Sequence, residues 1–265
     1  MVPAGGVDRG LVSWHGEPPT HAALPALGAA GVGHAFTTRH QGSFDGVSAP
    51  GGPFGVDRGW PALVALGLES KNVRYARQVH GDVCLDADAA AAGGLIGTGD
   101  ALFTRQLRRP VAVFTADCVP LIVVDPERPA LGVAHAGWRG TVRGIAARLV
   151  AALVEQAGAR ADRLRAAIGP SIGPCCYEVD EPVVGPLRAA FPTAWERWVR
   201  PGAPGRPGRW WLDLWAANAE QLTAVGVPAG AILSPRLCTG CRQDLFFSYR
   251  KEGLTGRLAT LAVLE

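Results

Sequence analysis

The sequence predicts an α+β fold in which mixed β-sheets are packed between helices in one layered domain. Three observations carry this. Apolar, β-branched runs of strand length are interspersed with helix-period segments without a regular strand–helix–strand beat, which argues against a purely parallel sheet. The chain has 265 residues, 48% of them hydrophobic and 18% charged, so it can bury a core without covalent staples. Its 35 glycines and 21 prolines show no triplet period, which demands many turns and excludes collagen. No repeat or linker divides the chain, so 1–265 reads as a single domain, with 1–30 a loosely assigned N-terminal extension.

The elements follow in order. Short strands are expected at 11–14 and 34–38. Residues 39–59 (RHQGSFDGVSAPGGPFGVDRG) have turn formers every few positions and read as a loop. A helix is expected over 61–68, with Pro61 in its first turn. A strand over 73–79 ends in the turn His80-Gly81-Asp82. Ala101–Thr104 is short and extended, and the apolar runs Val111–Thr115 and 121–125 are joined by Ala-Asp-Cys-Val-Pro. A strand over 131–135 runs into Gly137-Trp138-Arg139-Gly140 and then a helix over 141–157, with Thr141 as N-cap. Val142, Ile145, Leu149, Val150 and Leu153 follow helical spacing there, while Arg143 and Arg148 lie off the stripe. Beyond it the pattern predicts a strand at Arg165–Ile168, helices at Glu181–Ala190 and 211–225, a surface loop at 201–209, and strands at 231–234 and Leu258–Leu264.

Composition narrows the function classes. The formal net charge is +3 and no basic block stands out, so the chain is not read as a nucleic-acid binder. No run of ~18 apolar residues suggests a membrane span. The N-terminus lacks a basic start followed by an apolar stretch, so no signal peptide is read and a cytoplasmic location is expected. In that setting the six cysteines are expected as reduced thiols or metal ligands.

Three residues stand out by position. His80 (RQVHGD), Cys118 (TADCVPLIV) and His135 (GVAHAGWRG) each sit at a strand end, where a side chain can leave the core for a shared cleft. Two imidazoles and a thiolate suit Zn²⁺ and leave its fourth position open, as in catalytic sites. Their spacing matches no local metal motif, so two turn histidines and a buried thiol remain the competing reading. Asp117 either orients a histidine or contacts substrate, or caps its own turn. The Gly-rich turn after His135, with Arg139, is a candidate anion site. Cys238-Thr-Gly-Cys241 has redox or zinc spacing, but no second pair lies at zinc-ribbon distance, so the spacing is read as incidental. Cys175-Cys176 read as buried thiols and Cys84 as packing. His15, His21, His34 and His40 read as loop or surface residues.

Taken together, TTR (37–39), RQVHGD (77–82), GDALFT (99–104), TADCVPLIVVD (115–125), GVAHAGWRGTVRGI (132–145), AIGPSIGPCCYEV (167–179), LDLWAANAEQL (212–222) and CTGCRQDLFFSYRKEGLTGR (238–257) resemble the laccase-domain family. This family is also called multicopper polyphenol oxidase-like or purine nucleoside phosphorylase-like. The resemblance implies two mixed sheets between helices, of the CNF1-like putative cysteine hydrolase type. It implies a zinc site at His80, Cys118 and His135, with copper as the alternative metal. It implies phosphorolysis of adenosine, inosine and methylthioadenosine and hydrolytic deamination of adenosine. It also brings two further activities into view: copper-dependent phenol oxidation and cytoplasmic editing of peptidoglycan precursors. The sequence departs from the family pattern after Thr38-Arg39, where the loop 39–59 is remodelled and an Asn-Leu pair is missing.

On this reading His80, Cys118, His135 and Asp117 are the catalytic candidates. Arg39 and Arg139 are the candidates for phosphate, and Gln78 and Asp117 for base or ribose. Small-molecule nucleoside and phosphate are the expected partners of a monomer or homodimer. The competing reading is a cysteine-dependent amide hydrolase with Cys118 as nucleophile and a histidine as base. Phenol oxidation by several coppers is disfavoured, because 6 His and 1 Met are too few for a blue copper site plus a three-copper cluster.

Overall fold

The computed structural model describes residues 10–45, 52–54, 60–202 and 206–265. Two large sheets and one small one carry the fold. The larger has seven strands in the spatial order Ser13–His15, His21–Ala23, Val32–Thr37, Leu258–Leu264, Val111–Thr115, Arg74–Arg77 and Gly94–Thr98. The second has six, in the order Ile232–Leu233, Arg165–Ile168, Val119–Asp125, Ala130–Ala136, Ala101–Thr104 and Cys84–Asp86. The third places Arg209–Leu212 between Glu178–Asp180 and Val199–Pro201. Parallel and antiparallel pairs occur in both large sheets, so the α+β class with mixed sheets holds. The expected two sheets gain a small third.

The two large sheets bury a common face. Leu102, Ile122, Val124, Leu131 and Val133 from one pack with Val32, Phe36, Val111, Val113 and Leu258 from the other. The alternate residues of the same strands, Phe103, Val119, Leu121, Val123 and Ala134, face the helix Ile145–Ala157 through Ile145, Leu149 and Leu153. Both faces of the six-stranded sheet are therefore covered. That is why Val119–Asp125 and Ala130–Ala136 are buried along their whole length and read as near-continuous apolar runs, broken only at Asp125 and His135, in place of an alternation. The outer face of the seven-stranded sheet is closed by Phe44, Phe54, Trp60 and Leu63 against Tyr75 and Phe114.

Several expectations change in detail. Within 1–30, which the sequence assigns only loosely as an N-terminal extension, Ser13–His15 and His21–Ala23 form the edge of the larger sheet. The expected helix over 141–157 is two helices, Trp138–Val142 and Ile145–Ala157. Gly144 between them has φ +76°, a left-handed conformation that no helix interior accepts. The helix expected from 211 begins at Leu214, because Asp213 caps it by accepting from the Ala216 N–H at 2.9 Å. Trp211 belongs to the preceding strand. His21 and His34, read as loop or surface residues, are buried strand residues. His34 Nε2 accepts from the Leu24 N–H at 2.8 Å. Of the loop 39–59, residues 46–51 and 55–59 lie outside the described residues, as do 203–205 of the loop 201–209. Among the described residues no helix is long and apolar enough to cross a membrane.

Leu149 seats on the six-stranded sheet because Gly132 opposes it. A Cβ on Gly132 would lie 2.5 Å from Leu149 Cδ1 and 3.2 Å from the Leu102 carbonyl. Gly132→Ala is expected to cost about 1–3 kcal/mol by overpacking and Leu149→Ala about 2–5 kcal/mol by cavity formation. The double variant should lose less than the sum. Urea unfolding of the three variants measures the coupling, and strict additivity would contradict this packing.

Candidate metal centre

Antiparallel register assembles the site. Val119–Asp125 pairs with Ala130–Ala136 so that Val119 faces Ala136 and Pro120 faces His135. Ala130–Ala136 pairs with Ala101–Thr104 so that Ala134 faces Ala101. The start of one strand, the end of the next and the start of a third therefore lie side by side, and they bring together Cys118, His135 and Asp100. His80 arrives from the other sheet, on the turn that follows Arg74–Arg77.

Asp100 joins the two. Its side chain is fully buried and accepts four hydrogen bonds. The N–H groups of Val79, His80 and Gly81 donate at 3.1, 2.9 and 2.7 Å. His135 Nδ1–H donates at 2.8 Å. Burial alone would raise the Asp100 carboxyl, but His135 and the N–H groups of Gly81 and Val79 hold it at about 2 against an ordinary 3.8. With Nδ1 committed as donor, His135 turns a basic Nε2 toward the cleft.

The ligand atoms of His80, Cys118 and His135 all lie within 4.8 Å of one another. Cys118 Sγ is 3.9 Å from His80 Nε2, and the two imidazoles meet edge to face with centroids 4.7 Å apart. Burial opposes charge on both Cys118 and His135, yet each favours the charged form of the other. The thiol is pulled down to about 6, and the imidazole, also held by Asp100, is pushed up to about 9. A thiolate facing two imidazoles is a donor set suited to zinc and also acceptable to copper. The backbone leaves room beside it. A Cβ on Gly137 would fall 2.8 Å from Cys118 Sγ and 3.1 Å from His80 Cδ2, so glycine at 137 keeps the cradle open. His80 at φ +59° and Asp117 at φ +87° are both left-handed, a conformation non-glycine residues adopt at a cost.

The other candidates are placed less centrally. The carboxylate on His135 is Asp100, and Asp117 has different partners. Asp117 accepts from Thr239 Oγ1 and from the Arg250 N–H, both at 2.6 Å. Gln78 mimics a strand: its amide donates to the Phe114 carbonyl and accepts from the Phe114 N–H, both at 2.7 Å, which leaves little of it for a base or ribose. Arg39 pairs with Glu252 at 2.7 Å and donates to the Gln243 carbonyl at 2.6 Å. Arg139 is exposed and stacks on Trp138, with its Cζ 4.3 Å from the ring centroid. Sequence reasoning quoted Asp100 within GDALFT without giving it a role. It gave Gly137 no role beyond the turn and did not connect Thr239 or Arg250 with Asp117.

The family model described as "Multi-copper polyphenol oxidoreductase laccase" matches residues 58–265. The chain belongs to this family. A relative named purine nucleoside phosphorylase from Xylella fastidiosa is 35% identical over 257 residues, 95% of each chain. One named adenosine deaminase RL5, from an unknown prokaryotic organism, is 41% identical over 207 residues, covering 74% of this chain and 76% of that one. The crystal structure of YlmD from Geobacillus stearothermophilus superposes with a TM-score of 0.78 at 32% identity, covering 95% of this chain and 98% of that one. The family thus agrees with the resemblance read from the motifs, and so does the mixed α+β class.

Asp100→Asn replaces an acceptor by an amide NH₂ that faces donors. It is expected to destabilise by about 3–5 kcal/mol and to weaken metal binding ~10–100-fold, read by urea unfolding and chelator competition. The wild-type carboxyl is depressed on folding, so its stabilising contribution is complete above 3.8 and is lost as pH falls toward about 2. Acid titration of the asparagine variant should lack that component, and equal acid sensitivity in the two proteins would refute it.

Proposed function

We propose that the chain is a zinc-dependent purine nucleoside phosphorylase with adenosine deaminase activity, acting on adenosine, inosine and methylthioadenosine, with copper as the alternative metal. The observation that carries this is the convergence of His80, Cys118 and His135 within 4.8 Å, with His135 oriented by buried Asp100. Relatives named for both activities support it. Three protein ligands leave a tetrahedral ion one open position. When bound, the ion supplies Lewis acidity at that position.

The chain's own residues do the rest. Asp100 fixes the His135 tautomer, and Gly137 keeps the approach to Cys118 clear. Phosphorolysis passes through an oxocarbenium-like sugar, so phosphate must be held near the anomeric carbon. Arg139, exposed and oriented by Trp138, is the better phosphate candidate. Arg39 must first release Glu252. Asp117, locked to Thr239 and Arg250, acts by positioning that segment. A cytoplasmic location and a monomer or homodimer belong to the same reading.

One observation favours a second reading. A thiol drawn down to about 6 beside histidines is also the equipment of a cysteine-dependent amide hydrolase, in keeping with a CNF1-like cysteine-hydrolase type of fold. Elemental analysis separates the two: stoichiometric zinc that survives dialysis occupies the thiolate and excludes the nucleophile.

Incubation of zinc-loaded protein with adenosine should yield adenine and ribose 1-phosphate when phosphate is present, and inosine without it. His80→Ala should lower kcat/KM by more than ~100-fold, beyond the loss typical of an outer-shell partner. Arg139→Ala should raise KM for phosphate with little change in kcat. Absence of all these products from folded, zinc-loaded protein would reject the proposal.

A further inference from the structure

A second convergence of ligands lies outside this site and shares no residue with it. The cysteine pairs that looked unrelated in sequence meet in space. The Sγ atoms of Cys175, Cys176, Cys238 and Cys241 all lie within 4.8 Å of one another. We propose that these four cysteines form a second metal site, binding one zinc ion or a similarly thiophilic divalent cation as a tetrathiolate.

The geometry suits a cation better than a disulfide. Four sulfurs bonded to zinc at about 2.3 Å sit roughly 3.8 Å apart at tetrahedral angles. Cys241 Sγ is 3.3 Å from Cys175 Sγ and 3.5 Å from Cys176 Sγ. One sulfur almost equidistant from two others suits a shared ion; a disulfide would have to choose between them. The backbone is arranged around the sulfurs. The Gly173 N–H donates to Cys238 Sγ at 3.2 Å and fixes that sulfur in place. The N–H groups of Cys241 and Arg242 both donate to the Cys238 carbonyl, at 3.3 and 3.0 Å, and fold Cys238-Thr-Gly-Cys241 into a tight turn. Gly240 is required for that closure, because a Cβ there would lie 2.9 Å from Cys176 Cβ and 3.1 Å from its sulfur.

Charge and access agree. Four thiolates around a divalent ion carry two excess negative charges, and Lys251 passes close by, its Cε 3.3 Å from where a Gly240 Cβ would stand. Arg200 donates to the Pro174 carbonyl at 3.0 Å, beside Cys175. Cys175 is exposed and borders an open groove of about 660 Å³, which gives an ion a path in. Binding expels the thiol protons and involves no oxidant.

The site staples two segments: the turn after Arg165–Ile168, and the stretch that begins at Cys238. Between the last two cysteines stands Thr239, whose hydroxyl holds Asp117 next to Cys118. The tetrathiolate is thus a structural centre that fixes the frame of the first site without touching it.

The test separates the two centres. Protein purified under reducing conditions should carry two metal equivalents per chain, and the double variant His80→Ala/Cys118→Ser, which dismantles the first site, should keep one. Loaded with cobalt(II), that variant should show intense tetrahedral ligand-field bands and strong sulfur-to-cobalt charge transfer, bleached by zinc. Adding Cys241→Ser should remove the second equivalent. The double variant leaves all four cysteines in place, so the cobalt spectrum does not depend on a cysteine variant folding. Failure of the folded double variant to bind cobalt, or a mass deficit showing disulfides among these four residues in the isolated protein, would overturn the proposal.

Discussion

The site depends on one buried carboxylate. Asp100 sits at the start of a strand in the six-stranded sheet and collects three N–H groups from the turn that leaves the seven-stranded sheet. Without an acceptor there, the buried Gly81 N–H of that turn would be left unpaired, at roughly 1–3 kcal/mol, and the part-buried Val79 and His80 N–H groups would lose their partner. The fourth bond, from His135, makes the same atoms set the imidazole's tautomer. A single side chain thus fixes the backbone of His80 and the side chain of His135, and ties both to the packing of two sheets.

How much of this was legible in the sequence follows from which forces are local. Val111–Thr115 and Leu258–Leu264 were visible because burial on both faces writes a near-continuous apolar run, with threonine as its one polar residue in each. Cys84–Asp86 and Gly94–Thr98 were not. They are short edge strands, one of them rich in glycine, and pairing with a neighbour defines them more than any pattern of their own. Gly144 divides a helix whose apolar spacing runs straight through the break, so periodicity could not reveal it. His80, Cys118 and His135 were legible because each punctuates a strand. Asp100 lies in the same kind of position, but its role consists of contacts made across two sheets, which leave no trace in spacing.

The cysteines show the same limit more sharply. Cys175 and Cys241 are 66 residues apart, and the intervening chain builds the small third sheet and the helices Glu181–Ala190, Trp195–Trp198 and Leu214–Ala224 before returning. Cys238-Thr-Gly-Cys241 has zinc spacing, but Cys175-Cys176 are adjacent and do not supply the second C-x-x-C of a zinc ribbon. What brings them together is the bridge between Ser171 and Cys238, braced by the Trp215 indole N–H donating to Ser171 Oγ at 2.6 Å. Topology supplies the proximity, and the side chains then complete it.

These contacts converge on the stretch from Cys238 to Glu252. It contributes two sulfurs to the thiol cluster, Thr239 and the Arg250 N–H to Asp117, and Glu252 to Arg39. Asp117 stands in a strained conformation immediately before Cys118, so its two short hydrogen bonds to this stretch restrain the position of the thiolate along the strand end. Arg39, the residue whose charge first suggested phosphate, is restrained through the same stretch by an ion pair that is only partly exposed. Leu245 and Phe246 anchor the middle of this stretch in the core between the two large sheets, and the candidate centre leans on the segment they hold. The proposed tetrathiolate adds a restraint at its start, where Cys238 and Cys241 flank Thr239, because a cation held by thiolates fixes the chain where Cys241 is exposed and apolar burial gives out.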